Sequence, residues 1–230
     1  MLRFSIIVPV LDEAGGIEAT LAILQPWRAS GAAEVVVADG GSRDGTRALA
    51  APLADRVIDS PRGRGAQMNA GARVATGDIL LFLHADTRLP PRALEAVQAA
   101  LQSRDWGRFD VSIESPDPLL AVVAASMNAR SRLTGIATGD QAIFVRRPAF
   151  EAIGGYPEIP LMEDVALSKA LKRRSRPACL RERVVTSGRR WERRGALRTI
   201  VLMWRLRLAY ALGADPHRLA RRYDVERTSA

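Results

Sequence analysis

The chain carries a single cysteine, Cys179, in 230 residues. One thiol excludes an internal disulfide and a cysteine-built zinc cluster. Lysine is nearly absent: of 34 basic residues only Lys169 and Lys172 are lysines, and the rest are arginines. Aromatic residues are 5% of the chain. No uncharged apolar run approaches the roughly 18 residues that a membrane span requires. The start, Met1-Leu2-Arg3-Phe4, lacks the basic and long apolar regions of a secretory leader. Cytoplasm is therefore the expected compartment. No internal repeat or low-complexity linker interrupts the sequence. With 47% hydrophobic and 26% charged residues, whole-chain disorder and fibrous classes are excluded.

Charge is present but uneven. Residues 1–171 hold 17 basic and 20 acidic residues, net −3, whereas residues 172–230 hold 17 basic and 5 acidic, net +12, giving +9 overall. A basic C-terminal quarter suits a polyanionic partner: nucleic acid, an anionic membrane surface or a phosphorylated substrate. Arginine as the coded default of a GC-rich genome explains the same excess.

Phe4–Val10 and Glu34–Ala38 are short β-branched runs that predict buried parallel strands. Asp78–Leu83 predicts a central strand, and Arg56–Ile58 a weak one. Helices are expected at Ile17–Leu24, from Thr46, over Ala66–Ala75 and after Pro90-Pro91. This alternation predicts an α/β fold with a doubly wound sheet over residues 1–100. Asp12 and Glu13, Asp39, and His84 and Asp86 fall at the carboxyl ends of successive strands, where open α/β sheets bind ligands. Taken singly, such acids are ordinary caps and turn formers. The second half is less regular. Helices are expected at Leu119–Arg130, from Leu161 to about Arg173 and over 196–213, with a strand at Ala142–Arg146.

Four motifs occur in order: Ser5-Ile6-Ile7-Val8-Pro9-Val10-Leu11-Asp12-Glu13; Val36 to Thr46, containing Asp39-Gly40-Gly41-Ser42; Asn69-Ala70-Gly71 followed by Gly77 to Asp86; and Gly154-Gly155-Tyr156-Pro157 leading to Met162-Glu163-Asp164. The set resembles the family 2 glycosyltransferases of the GT-A fold, over nearly the whole chain. The short length, His84-Ala85-Asp86-Thr87 and Arg189-Arg190-Trp191-Glu192-Arg193-Arg194 look closest to a small bacterial group of radical-SAM/selenodomain-associated transferases. The resemblance implies a Rossmann-like, mostly parallel central sheet flanked by helices. It implies a GT-A domain over 1–195, with a nucleotide-binding half of about 1–100 and an acceptor half of about 101–195. Residues 196–230 are then a basic helical extension.

The resemblance further implies an inverting, metal-dependent transfer of one sugar from a nucleotide-diphosphate donor, UDP-linked by default, to an acceptor hydroxyl. Pro9, Val10, Leu11, Glu13, Asp39, Gly40, Arg64, Asn69, Ala85 and Asp86 are the expected donor contacts. A hard divalent cation, Mn²⁺ or Mg²⁺, would neutralise the leaving diphosphate. Relatives hold it with Asp-x-Asp; here the pattern is His84-Ala85-Asp86, so Asp86 is the main ligand. His84 is a ligand, a diphosphate contact or a packing residue. Asp164 matches the catalytic base, with Glu163 beside it. Consecutive helical residues point about 100° apart, so only one can face the reacting carbon. Asp140, Arg189, Arg190 and Trp191 are expected on the acceptor and diphosphate side. The last three lack the preceding glutamine of processive relatives, which fits a single transfer.

In the C-terminal helix, Arg194, Arg198 and Arg205 share a face against Ile200, Val201, Leu202, Met203 and Trp204. Arg207 projects to nearly the opposite side. Packing on protein, including a homodimer, is the preferred reading, and contact with the inner membrane face the alternative. The latter would suit a lipid-linked acceptor. Competing functions are weaker. A dinucleotide oxidoreductase would need Gly-x-Gly-x-x-Gly, and the first turn instead holds two acids. No nucleic acid partner is expected, because the basic tail has only Trp191, Trp204, Tyr210 and Tyr223 as aromatics and no recognition module. A catalytically weak nucleotide-sugar-binding protein remains the other alternative, given His84.

Overall fold

The structure is a computed structural model that describes residues 2–189, 191 and 195–228. In chain order the elements are β1 (Phe4–Val10), α1 (Ile17–Ala29), β2 (Ala33–Asp39), α2 (Thr46–Ala50), β3 (Arg56–Asp59), α3 (Arg64–Val74), β4 (Ile79–Phe82) and β5 (Thr87–Arg88). They continue with α4 (Ala93–Ala100), β6 (Trp106–Glu114), α5 (Pro118–Thr134), β7 (Phe144–Arg146), α6 (Arg147–Glu151), α7 (Glu163–Lys172), β8 (Ala178–Ser187), α8 (Ala196–Ala211) and α9 (Pro216–Thr228).

The strands form one sheet in the order β3-β2-β1-β4-β7-β6-β8-β5. β1, β2, β3 and β4 run parallel, as the buried apolar runs predict. β1 and β2 are buried along their whole length. Their side chains alternate between two cores. Ile6, Val8, Val35 and Val37 pack with Leu21 and Leu24 of α1; Ile7 and Val36 pack with Met68 and Ala72 of α3. Close approach of α3 to β1 requires Gly71, since a Cβ there would lie 2.4 Å from Ile7 Cγ2.

Beyond β4 the sheet is mixed. β7 is antiparallel to β4 and β6, β8 is parallel to β6, and β5 is antiparallel to β8. Sequence patterning missed β6 and β8. β6 carries a fully buried arginine, Arg108, whose Nε donates to Ser131 Oγ at 2.9 Å and whose Nη1 pairs with Asp110. Arg132 Nη2 closes the group on Asp110 Oδ2 at 2.6 Å. The charges are paired inside, so the strand has no apolar signature.

α8 packs through Leu206 on Leu161, Met162 and Leu219. Its other side shows Leu197, Val201, Trp204 and Leu208, each more than half exposed. The expectation of protein packing thus holds for one face and leaves an apolar stripe on the other. The helix that follows, α9, is anchored by Leu219. No helix among the described residues is long and apolar enough to cross a membrane.

Candidate active site

The nucleotide-side loops are stitched together by short polar side chains. Asp39, almost fully buried at the end of β2, accepts from Ser42 N at 3.0 Å and Ser42 Oγ at 2.5 Å. Asp12, at φ 54°, accepts from Arg43 N at 2.8 Å, and its own N–H donates to Ser42 Oγ. Glu13 N donates to Thr46 Oγ1 at 2.8 Å, and Ala14 N to Asp44 Oδ2 at 2.9 Å. The hydrogen bond from Thr46 holds Asp44 below the usual carboxylate range. Gln67 of α3 donates to Val10 O and Ala38 O, tying the ends of β1 and β2. Gly40 lies against that amide. Pro9 and Val10 are strand residues and Leu11 begins the loop. Gln67, Ser42, Asp44 and Thr46 are absent from the expected contacts, although the Asp39–Thr46 turn signalled the last three.

Two expected donor contacts have structural partners. Asn69 clamps the fourth motif: its amide donates to Tyr156 O at 2.8 Å and accepts from Tyr156 N at 2.9 Å. Arg64 Nε lies 2.9 Å from Glu163 Oε1. This ion pair ties the start of α3 to the start of α7. Glu163 is 2% exposed and its Oε2 has no hydrogen-bond partner among the described residues. Burial raises its pKa, with the Arg64 charge opposing and Asp164 adding.

Asp164 is half-buried and accepts from Gly139 N at 3.0 Å and from Val165 N at 2.7 Å. Each oxygen retains a lone pair. Glu163 turns inward and Asp164 does not, as the helical angle between neighbours requires. Two residues here adopt left-handed backbone without being glycine: Ala142 (φ 46°) and Met162 (φ 70°), the latter directly before α7. Such conformations carry strain of order 1 kcal/mol and gather at functional sites.

His84 Nδ1 lies 3.3 Å from Asp140 Oδ1. Its Nε2 is buried without a partner among the described residues, closed against Gly139, where a Cβ would sit 2.3 Å away. Ala85 is buried, and its carbonyl accepts from Thr20 Oγ1 at 2.5 Å. Asp86 and Asp140 line one cavity of about 440 Å³, together with Trp191. Asp86 Oδ1 accepts from Thr87 Oγ1 at 3.3 Å. Among the described residues no group of three His, Cys, Asp or Glu side chains could hold a metal by itself. The fit is instead to an ion held by one carboxylate and completed by diphosphate oxygens and water, a usual arrangement for Mg²⁺. Asp86 is the carboxylate that would hold such an ion. His84 is poorly disposed to join it, with one nitrogen beside Asp140 and the other enclosed. Arg189 donates to Ser187 Oγ at 3.1 Å and lies against Gly16 of the first loop. Arg190 and residues 192–194, which include Arg194, lie outside the described residues.

A sheet that is parallel around β1 and reverses at β7, with acids at its carboxyl edge, is the GT-A glycosyltransferase fold. Residues 1–349 of S. aureus TarS, solved with UDP-GlcNAc, match 81% of this chain and 58% of their own at TM-score 0.63 and 20% identity. The mannosyltransferase PcManGT of Pyrobaculum calidifontis, solved with GDP-Man and Mn²⁺, matches 80% of this chain and 56% of its own at TM-score 0.58 and 23% identity. Residues 5–119 match the model of glycosyl transferase family 2, and the chain belongs to that family. The succinoglycan biosynthesis protein ExoA of Rhizobium meliloti is 30% identical over 173 residues, 66% of this chain and 52% of that protein. The chain thus spans about half the length of that relative.

Proposed function

We propose that the chain transfers one sugar, with inversion, from a nucleotide-diphosphate donor to an acceptor hydroxyl. The observation that carries this reading is a GT-A sheet with Asp39 at the end of β2, Asp86 and Asp140 on one cavity beyond β4, and Asp164 bonded to the neighbouring Gly139 N. Pro9 to Glu13, Asp39 and Gly40 form the nucleotide cradle, held by Gln67 and Ser42. Arg189, beside the first loop, pairs with the diphosphate. Asp86 would hold the divalent cation, which when bound supplies positive charge to the leaving diphosphate. UDP remains the default donor; the matched structures hold both UDP- and GDP-sugars.

Asp164 takes the proton of the acceptor hydroxyl. Its carboxylate is fixed by the Gly139 and Val165 N–H groups and backed by the Arg64–Glu163 pair. Glu163 orients α7 and does not face the acceptor. Asp140 is the second reading for the base, because it shares the cavity with Asp86. Asp164→Asn is expected to lower kcat about a hundredfold while leaving donor Kd unchanged, the range for a lost general base. Asp140→Asn is expected to be milder. Steady-state assays with UDP-sugars separate the two; the reverse ranking moves the base to Asp140. The exposed stripe of α8, on a chain segment of net +12, favours contact with the inner face of an anionic membrane.

A further inference from the structure

The cavity that ends at Asp86 and Asp140 is larger than a sugar hydroxyl requires, and apolar side chains make up most of its remaining wall. Val122 and Met127 of α5 face Ile200, Met203 and Trp204 of α8 across it. None of the nucleotide-loop residues lines it. It is therefore separate from the donor cradle and meets it only at Asp86.

One arginine reaches the cavity from each helix: Arg130 from α5 and Arg207 from α8. Arg130 Nη2 and Arg207 Nε are buried with no hydrogen-bond partner among the described residues. Guanidinium nitrogens only donate, so their missing partner is an acceptor, and an anion suits them best. Arg130 sits where the charges of Asp164 and Asp140 reach it, although burial disfavours its charged form. Arg130 thus stands at the reacting end of the cavity. At the rim, Trp204 and Val122 are 71% and 60% exposed, and Trp204 continues into the apolar stripe of α8.

We infer that this cavity takes an anionic amphiphile as the acceptor, with its apolar chain between α5 and α8 and its anionic group on Arg130 and Arg207. The inference rests on the glycosyltransferase reading and names the acceptor class for it. A lipid chain would enter over Trp204 from the same side as the exposed stripe. The anionic group would anchor the molecule on the arginines so that a hydroxyl of its headgroup lies beside Asp164.

The test is calorimetric titration of the full chain, without detergent, with farnesyl phosphate, farnesol and inorganic phosphate, and separately with UDP plus Mn²⁺. Farnesyl phosphate is expected to bind saturably, with farnesol and inorganic phosphate each at least tenfold weaker. Val122→Asp, and separately Arg130→Gln with Arg207→Gln, are expected to weaken farnesyl phosphate at least tenfold and to leave UDP affinity within twofold. Normal UDP binding without saturable farnesyl phosphate binding overturns the acceptor class and spares the glycosyltransferase reading. Equal binding of farnesol overturns the anionic part, and undiminished binding by the variants overturns the location. Farnesyl phosphate bound normally by a protein that does not bind UDP would sink the donor reading and keep the amphiphile site.

Discussion

Replacing Arg64 by methionine removes the guanidinium that pairs with Glu163, while keeping a long apolar side chain at the start of α3. The carboxylate left behind is 2% exposed, and one of its oxygens already lacks a hydrogen-bond partner among the described residues. Breaking a buried ion pair by removing one partner costs about 3–5 kcal/mol. The Arg64 side chain is 37% exposed, so water weakens the pair and the lower end, about 3 kcal/mol at neutral pH, is expected. The loss should depend on pH. Burial already raises the Glu163 pKa, and Arg64 opposes that rise; without Arg64 the folded-state value climbs further. A carboxyl whose folded pKa exceeds its unfolded value favours the folded state at low pH, and that advantage fades as pH rises through the folded value. Arg64→Met should therefore be least destabilising near pH 4.5 and most destabilising at pH 8. Urea unfolding followed by circular dichroism at both pH values measures this. Adding Glu163→Gln should recover much of the loss, since no charge remains to be buried. A loss under about 1 kcal/mol, the same loss at both pH values, or no recovery in the double variant would each refute the reasoning.

Asp86→Ala is expected to abolish the tightening of UDP by Mn²⁺ in calorimetry, and His84→Ala to retain much of it; equal damage would make His84 a ligand. Glu34 predicts acid sensitivity from a different place in the sheet. Burial alone would raise its pKa, but hydrogen bonds from Ser5, Thr76 and Gly77 outweigh it and hold the carboxylate below its ordinary range. Its stabilisation is present above the ordinary carboxylate pKa and lost as pH falls through the lowered value. Glu34→Ala, which strands the buried Ser5 hydroxyl proton and takes the acceptor from Thr76 N–H, should cost about 3 kcal/mol in urea unfolding at pH 7; a loss below 1 kcal/mol would contradict the hydrogen-bond count. The α8 stripe should bind phosphatidylglycerol vesicles in co-sedimentation, with Trp204→Glu plus Leu208→Glu weakening binding at least tenfold. No vesicle binding, together with a dimer at sedimentation equilibrium that the same variant dissociates, would assign the stripe to a second copy.

The amino-acid sequence by itself determined the parallel half of the sheet, because β1, β2 and β4 are buried on both faces and so must be continuous apolar runs. It also placed Asp39, Asp86 and Asp164 at element ends, since turn chemistry and helix starts are local. It could not show β6 or β8. Arg108 and Asp110 read as surface residues until Arg132 and Ser131 are brought to them from α5. The resemblance singled out Asp164, but that Glu163 turns inward onto a cation depends on Arg64 arriving from about a hundred residues earlier in the chain. Asn69 carries a motif that looks like ligand chemistry, and only the packing of α3 on the Tyr156 segment turned its amide into a clamp. The cavity between α5 and α8 belongs to the tertiary structure alone. Neither helix announces it by its own pattern, and the pocket and its pair of buried arginine donors exist only where their faces fail to close on one another.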